Sequence, residues 1–152
     1  MSSTRVRCHV NAPPARVYAA LVDGGAVAHW MVPTGMTSQV HEFEGREGGR
    51  FRISLTYDAP TNTGKTSAQT DTYHGRFVTL LPGRRVVQVV EFETPNPALR
   101  GEMTITINLT EAAGGTHLDA LHDQLPPGLP PADNELGWQL SLAKLKALVE
   151  AE

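Results

Sequence analysis

The first part of the chain changes from an alternating pattern to a helical one. Over residues 4–11, apolar and polar residues alternate, and this period of two predicts a half-buried strand. The apolar positions Val17, Ala20 and Leu21 then recur at three- and four-residue steps, which predicts a helix. A second, short helix is predicted over residues 26–31.

The middle of the chain alternates repeatedly between apolar and polar positions. The clearest alternation runs over Gly48–Asp58, where Phe51, Ile53, Leu55 and Tyr57 share one face. Short turns rich in glycine and proline separate the successive runs, and this predicts an antiparallel meander instead of crossover connections. The other predicted elements are strands over Ser38–Phe43, Thr70–Leu81, Arg84–Thr94, 103–110 and Thr116–Gln124, and a polar loop over Pro60–Ala68.

The longest helical pattern follows a proline-rich break at residues 126–131. It spans about residues 132–151, which corresponds to ~30 Å of helix. A helix about 10–12 Å wide is too narrow to fill the hollow of a curved sheet. The remaining space is therefore either packed by large side chains or left open as a cavity. The apolar stripe of this helix contains Trp138, Leu142, Leu145 and Val149, broadened by Leu136, Leu140 and Leu148.

The order of these elements predicts the fold class. One strand, two short helices, about six further strands and a long helix give an α+β protein. Its six- to seven-stranded antiparallel sheet curves around the C-terminal helix. The length of 152 residues fits one domain over residues 1–152.

Composition excludes several classes of function. The net charge of −3 gives no basic footprint for nucleic acid. A single cysteine, Cys8, excludes an internal disulfide, and no apolar run approaches the ~18–20 residues of a membrane span. The first residues lack the apolar core of a signal peptide, so we expect a cytoplasmic protein without membrane association.

Several segments together indicate a known family: residues 13–23 (PPARVYAALVD), Trp30, residues 46–51 (REGGRF), 74–77 (HGRF), 90–92 (VEF), 103–106 (MTIT) and 137–145 (GWQLSLAKL). They resemble the START-like (SRPBCC) superfamily, whose fold is the helix-grip. Within it, the chain is similar to the bacterial branch related to the activator of the heat-shock protein 90 ATPase. Members of the superfamily include carriers of lipids, hormones and polyketides, aromatic cyclases and chaperone cofactors, so the resemblance implies a fold and leaves these activities open.

The histidines give no metal signature, and we predict neither a metal nor another cofactor. No two of them have the spacing of an HExxH helix, and His117 and His122 lie on opposite faces of one strand. His122 shares its face with Leu118 and Ala120 and is therefore predicted to point inward. It either anchors a ligand, acts as a general base, or is a core histidine satisfied by the backbone or water.

Twelve inward-facing residues are candidates for the wall of a ligand cavity. Their aromatic members could line a cavity or fill the core. Access to such a cavity is expected near the loops 59–68 and 126–131. The predicted ligand-binding residues are Trp30, Phe51, Ile53, Leu55, Tyr57, Tyr73, Phe77, Met103, Ile105, His122, Trp138 and Leu142.

Three functions are compatible with this sequence. The first is binding of a small hydrophobic molecule between the C-terminal helix and the concave sheet, with His122 and Tyr73 fixing its orientation and without catalysis. The second is a cyclase-like enzyme in which a pocket histidine moves protons. The third is a chaperone-cofactor-like interaction module, for which the chaperone is the partner. A homodimer is an open alternative, and no nucleic-acid partner is expected.

Overall fold

The computed structural model describes residues 2–32, 35–58 and 70–151. The predicted loop Pro60–Ala68 and the expected access route beside it lie outside the described residues. The described elements in chain order are β1 (Ser2–Val10), α1 (Pro14–Leu21), α2 (Gly24–Trp30), β2 (Met36–Phe43), β3 (Arg50–Tyr57), β4 (Thr70–Leu81), β5 (Arg85–Phe92), a 3-10 turn (Pro97–Leu99), β6 (Met103–Ala112), β7 (Gly115–Leu125) and α3 (Pro131–Glu150).

The strands form one antiparallel sheet of seven strands in the order β1-β7-β6-β5-β4-β3-β2. Strands β2 to β7 are neighbours in chain order, which confirms the predicted meander. Strand β1 closes the sheet on the far side, where Val6 pairs with Ala120 and Cys8 with Leu118. The fold is therefore the α+β helix-grip that the element order predicts. Among the described residues, no helix is both long and apolar enough to cross a membrane.

All three helices pack on the inner face of the sheet. Helix α3 buries Ser141, Leu142, Leu145 and Val149. Helices α1 and α2 add further buried apolar side chains to the same core. At the start of α3 the predicted apolar stripe is narrower than expected, because Leu136 is 55% exposed.

A cluster of aromatic rings fills the inner face under β2, β3 and β4. The ring centroids of Phe51 and Phe77 are 5.2 Å apart, and Phe43 lies 5.6 Å from Phe77. Gly75 makes this packing possible, because a Cβ there would lie 2.7 Å from Cζ of Phe51 and 2.2 Å from the carbonyl oxygen of Val89. Any larger residue at position 75 would push the Phe51 ring out of the cluster.

The last turns of α3 close one end of the border strand β1. The Nζ of Lys146 donates to the carbonyl oxygen of His9 at 3.0 Å, and Glu150 accepts from the backbone N–H of Asn11 at 2.8 Å. Nearer the start of β1, Arg5 and Arg7 project from the outer face and both lie within 3.5 Å of Oδ1 of Asp119. The border is thus covered by α3 at one end and flanked by charge at the other.

Replacing Leu145 by alanine tests the packing of α3 on the sheet. Leu145 is fully buried, so we expect Leu145→Ala to lower the free energy of unfolding by about 2–5 kcal/mol. Leu136→Ala, on the same helix but exposed, is the matched control and should cost less than about 0.5 kcal/mol. Urea denaturation of both variants measures the difference, and equal losses would contradict the described orientation of α3.

Candidate functional site

One end of the sheet keeps several apolar side chains only half buried. Because the strands are antiparallel, β3, β5 and β7 end there, β4 and β6 begin there, and α3 starts close by. We call this region the open end and define it by its half-buried residues Met31, Leu55, Tyr57, Phe92, Leu99 and Trp138.

The wall of the open end is built from rings on different elements. The rings of Trp138 and His122 meet edge to face with centroids 4.5 Å apart, and Trp30 lies 6.2 Å from Trp138 in a similar arrangement. The indole N–H of Trp30 donates to the carbonyl oxygen of Ala20 at 2.9 Å, so this buried polar atom is satisfied. Trp138 is therefore held between a buried tryptophan and a buried histidine.

His122 is oriented by an asparagine of the first turns of α3. The Nδ2 of Asn134 donates to Nδ1 of His122 and to Oγ1 of Thr4, both at 2.9 Å. A ring nitrogen that accepts a hydrogen bond carries no proton, so the neutral ring carries its proton on Nε2. Nε2 is buried and has no hydrogen-bond partner among the described residues.

Burial keeps His122 and Tyr73 uncharged at neutral pH. His122 is 1% exposed, and desolvation lowers its pKa to about 4. Burial also raises the pKa of Tyr73 above its usual value, and its hydroxyl donates to Sδ of Met31 at 3.0 Å. At neutral pH these two side chains therefore offer hydrogen-bonding groups without charge.

The structure brings the predicted ligand-binding residues to the inner face at different depths. Leu55, Tyr57 and Trp138 are half buried at the open end. The fully buried members are Trp30, Phe51, Ile53, Tyr73, Phe77, Met103, Ile105, His122 and Leu142.

Sequence reasoning missed two polar residues that act on His122. Asn134 lies four residues before Trp138, and residues at that spacing share one face of a helix. Thr4 has the same parity as Val6 and Val10 in β1. Both signals were present in the sequence, but neither identifies the strand that the side chain would meet.

Two surface grooves lie away from the open end. One, of about 390 Å³, crosses the outer face of β3, β4 and β5, and several of its charges are paired, as in the two-bonded contact of Arg52 with Glu93 at 2.8 and 2.9 Å. The other, of about 350 Å³, runs between β1 and α3 beside Cys8 and Lys146. Within the described residues, neither groove is lined by His122 or by a residue of the open end.

Comparison with known protein families identifies the relatives of this fold. The family model described as "Activator of Hsp90 ATPase homolog 1-like protein" matches residues 11–150. The chain belongs to this family. A comparison with curated proteins gives no match.

Solved structures of similar proteins agree with the assignment to the AHSA1-like family. A crystal structure of a Chromobacterium violaceum protein is 34% identical, with a TM-score of 0.87 over 97% of this chain and 96% of that chain. An AHSA1-like protein from Aeromonas hydrophila has 18% identity and a TM-score of 0.72, over 99% of this chain and 93% of that chain, and shows the fold alone. At family level, this fold supports a ligand-binding or cofactor-like module.

The stability of this AHSA1-like protein should depend on pH through His122. Since its pKa falls from 6.5 to about 4 on folding, the unfolded chain binds a proton between these values that the folded protein does not. Above pH 6.5 the ring is neutral in both states, and the free energy of unfolding should fall by about 2.5 kcal/mol as the pH drops from there to about 4.5. Urea denaturation at a series of pH values measures this loss.

A ring without a titratable nitrogen provides the comparison for this pH effect. His122→Phe should flatten the profile between pH 6.5 and 4.5. The carboxyls of Glu44, Glu93 and Glu150 have lowered pKa values, so their contributions are lost below pH 4.5 and outside this window. An unchanged slope in His122→Phe would show that His122 does not titrate as described.

Proposed function

We propose that this protein binds a small hydrophobic molecule at the open end, between the first turns of α3 and the ends of β3 and β5, and that it does so without catalysis. The observation that supports this most directly is the set of half-buried apolar side chains at one end of a largely buried inner face. Covering such a surface with an apolar molecule favours binding by roughly 25 cal/mol for each Å² of apolar surface buried.

The polar groups of the region favour specific binding of a ligand in one orientation over nonspecific apolar contact. A site of mostly apolar walls with a few placed polar atoms is the common form of a small-molecule site. His122 and Tyr73 supply those atoms on the inner face, and Trp138 joins His122 to the open end. The module that the family supports at a general level would here be a carrier or sensor of an apolar compound.

The state of His122 argues for binding and against a cyclase-like reaction. A general base must have a free lone pair at the working pH. The Nδ1 lone pair of His122 already accepts from Asn134, and Nε2 carries the proton of the neutral ring. Because burial lowers the pKa of this ring to about 4, it is also a poor acceptor of protons at neutral pH.

A chaperone-cofactor-like role is the second candidate, and the description of the family favours it. Such a role would use the outside of the protein, where the charged groove of β3, β4 and β5 lies. Charge reversal of Arg50 and Arg76 in that groove would then weaken capture of the chaperone. If the protein leaves the ATPase rate of the chaperone unchanged, this role is excluded.

Binding of the hydrocarbon probe 2-ethylnaphthalene tests the main proposal. Calorimetric titration of the full chain should give saturable binding, and Leu55→Trp should weaken it about tenfold, because the larger ring occupies the open end. Leu81→Trp is the matched control, since Leu81 is 40% exposed at the opposite end of β4. Equal weakening by both variants, or no saturable binding by the wild type, would contradict the proposal.

A further inference from the structure

We infer that the molecule bound at the open end carries a neutral hydrogen-bond acceptor, such as a carbonyl or ether oxygen, which receives the Nε2–H of His122. We also infer that Asn134 is the positioning residue that creates this donor. The inference rests on the proposed function and adds to it the chemical class of the ligand.

The first step is the assignment of the proton on the ring. The amide nitrogen of Asn134 has two hydrogens and no lone pair to offer. One hydrogen is given to Oγ1 of Thr4 and the other to Nδ1 of His122, each at 2.9 Å. Nδ1 must therefore present its lone pair, and the proton of the neutral imidazole lies on Nε2.

The second step is that this N–H group is a buried donor without an acceptor. His122 is 1% exposed, and its Nε2 has no hydrogen-bond partner among the described residues. A buried donor without an acceptor loses its hydrogen bond to water and gains nothing in return, so such groups are rare in folded proteins. An acceptor on a bound molecule would satisfy this donor.

The third step concerns the charge of the acceptor. The ring is flanked by Trp138, and its cross-strand neighbour on β6 is the buried Ile105. Burial holds the ring in its neutral form, so it offers no positive charge to balance a carboxylate. Burying an unbalanced anion is far more costly than burying a carbonyl oxygen. A ketone, ester, amide or ether oxygen is therefore the acceptor that fits.

The fourth step links the donor to the wall of the site. Asn134 and Trp138 are four residues apart on α3 and share one face of the helix. The same helix face therefore orients the ring of His122 and supplies the indole against which that ring packs. A change in the seating of α3 would alter the donor and the apolar wall together.

A matched pair of ligands separates the hydrogen bond from apolar contact. 2-Acetylnaphthalene and 2-ethylnaphthalene have nearly the same shape, but only the first has an acceptor oxygen. In calorimetric titrations of the full chain, the acetyl compound should bind about 3- to 10-fold more tightly. In His122→Phe the acetyl compound should bind no better than the ethyl compound, while His117→Phe, at an exposed position, should keep the wild-type ratio.

Nitrogen-15 spectra of the histidine rings test the role of Asn134 without any ligand. In the wild type, Nε2 of His122 should appear protonated and Nδ1 bare. Asn134→Asp keeps the shape of the side chain but can only accept at neutral pH, so a proton should appear on Nδ1. A merely structural role for Asn134 would leave the ring signals unchanged. Addition of 2-acetylnaphthalene, but not of 2-ethylnaphthalene, should shift the Nε2–H signal.

The outcomes distinguish this inference from the proposed function. If the wild-type ring carries its proton on Nδ1, the assigned donor is wrong. If both compounds bind equally and leave the Nε2–H signal in place, as they would with a trapped water on that atom, the inference fails and the proposed function stands. If neither compound binds, the proposed function fails and the inference fails with it. Circular dichroism of each variant verifies that it is folded.

Discussion

The seating of α3 over one side of the sheet determines the rest of this structure. Among the described residues, polar contacts of α3 with the sheet reach β1, the residue after it, and β7. Near its start Asn134 binds Thr4 and His122, and near its end Lys146 and Glu150 bind the backbone at His9 and Asn11. Because a straight helix cannot follow a curved sheet, the opposite side must be filled by other means.

Two regions of that opposite side differ in how they are packed. Under β2, β3 and β4 the aromatic rings of Phe43, Phe51, Phe77 and Tyr73 pack against one another and occupy the inner face. Where the strands end, Leu55 and Tyr57 stay half buried, and among the described residues Tyr57 belongs to no ring cluster of this kind. The predicted packing by large side chains therefore holds under β2, β3 and β4, and a cavity where the strands end stays a proposal.

Much of the fold could be predicted from the sequence because period and face are local properties. The alternation in β3 placed Phe51 and Ile53 inward, and the same reasoning separated His117 from His122. Neighbour relations between distant segments are not local, so the pairing of β1 with β7 and the contact of Asn134 with His122 could not be predicted. The protonation of the His122 ring follows from that contact, so it could not be predicted from the sequence either.

The partial cover of β1 has a consequence for association between copies of the chain. A border strand invites a second strand to pair with it. Lys146 and Glu150 occupy the backbone groups at one end of β1, and Arg5 and Arg7 flank the remainder. Two molecules meeting there in antiparallel fashion would set guanidinium groups against one another, which disfavours assembly through this strand. The same arrangement protects the protein from fibre formation along that side.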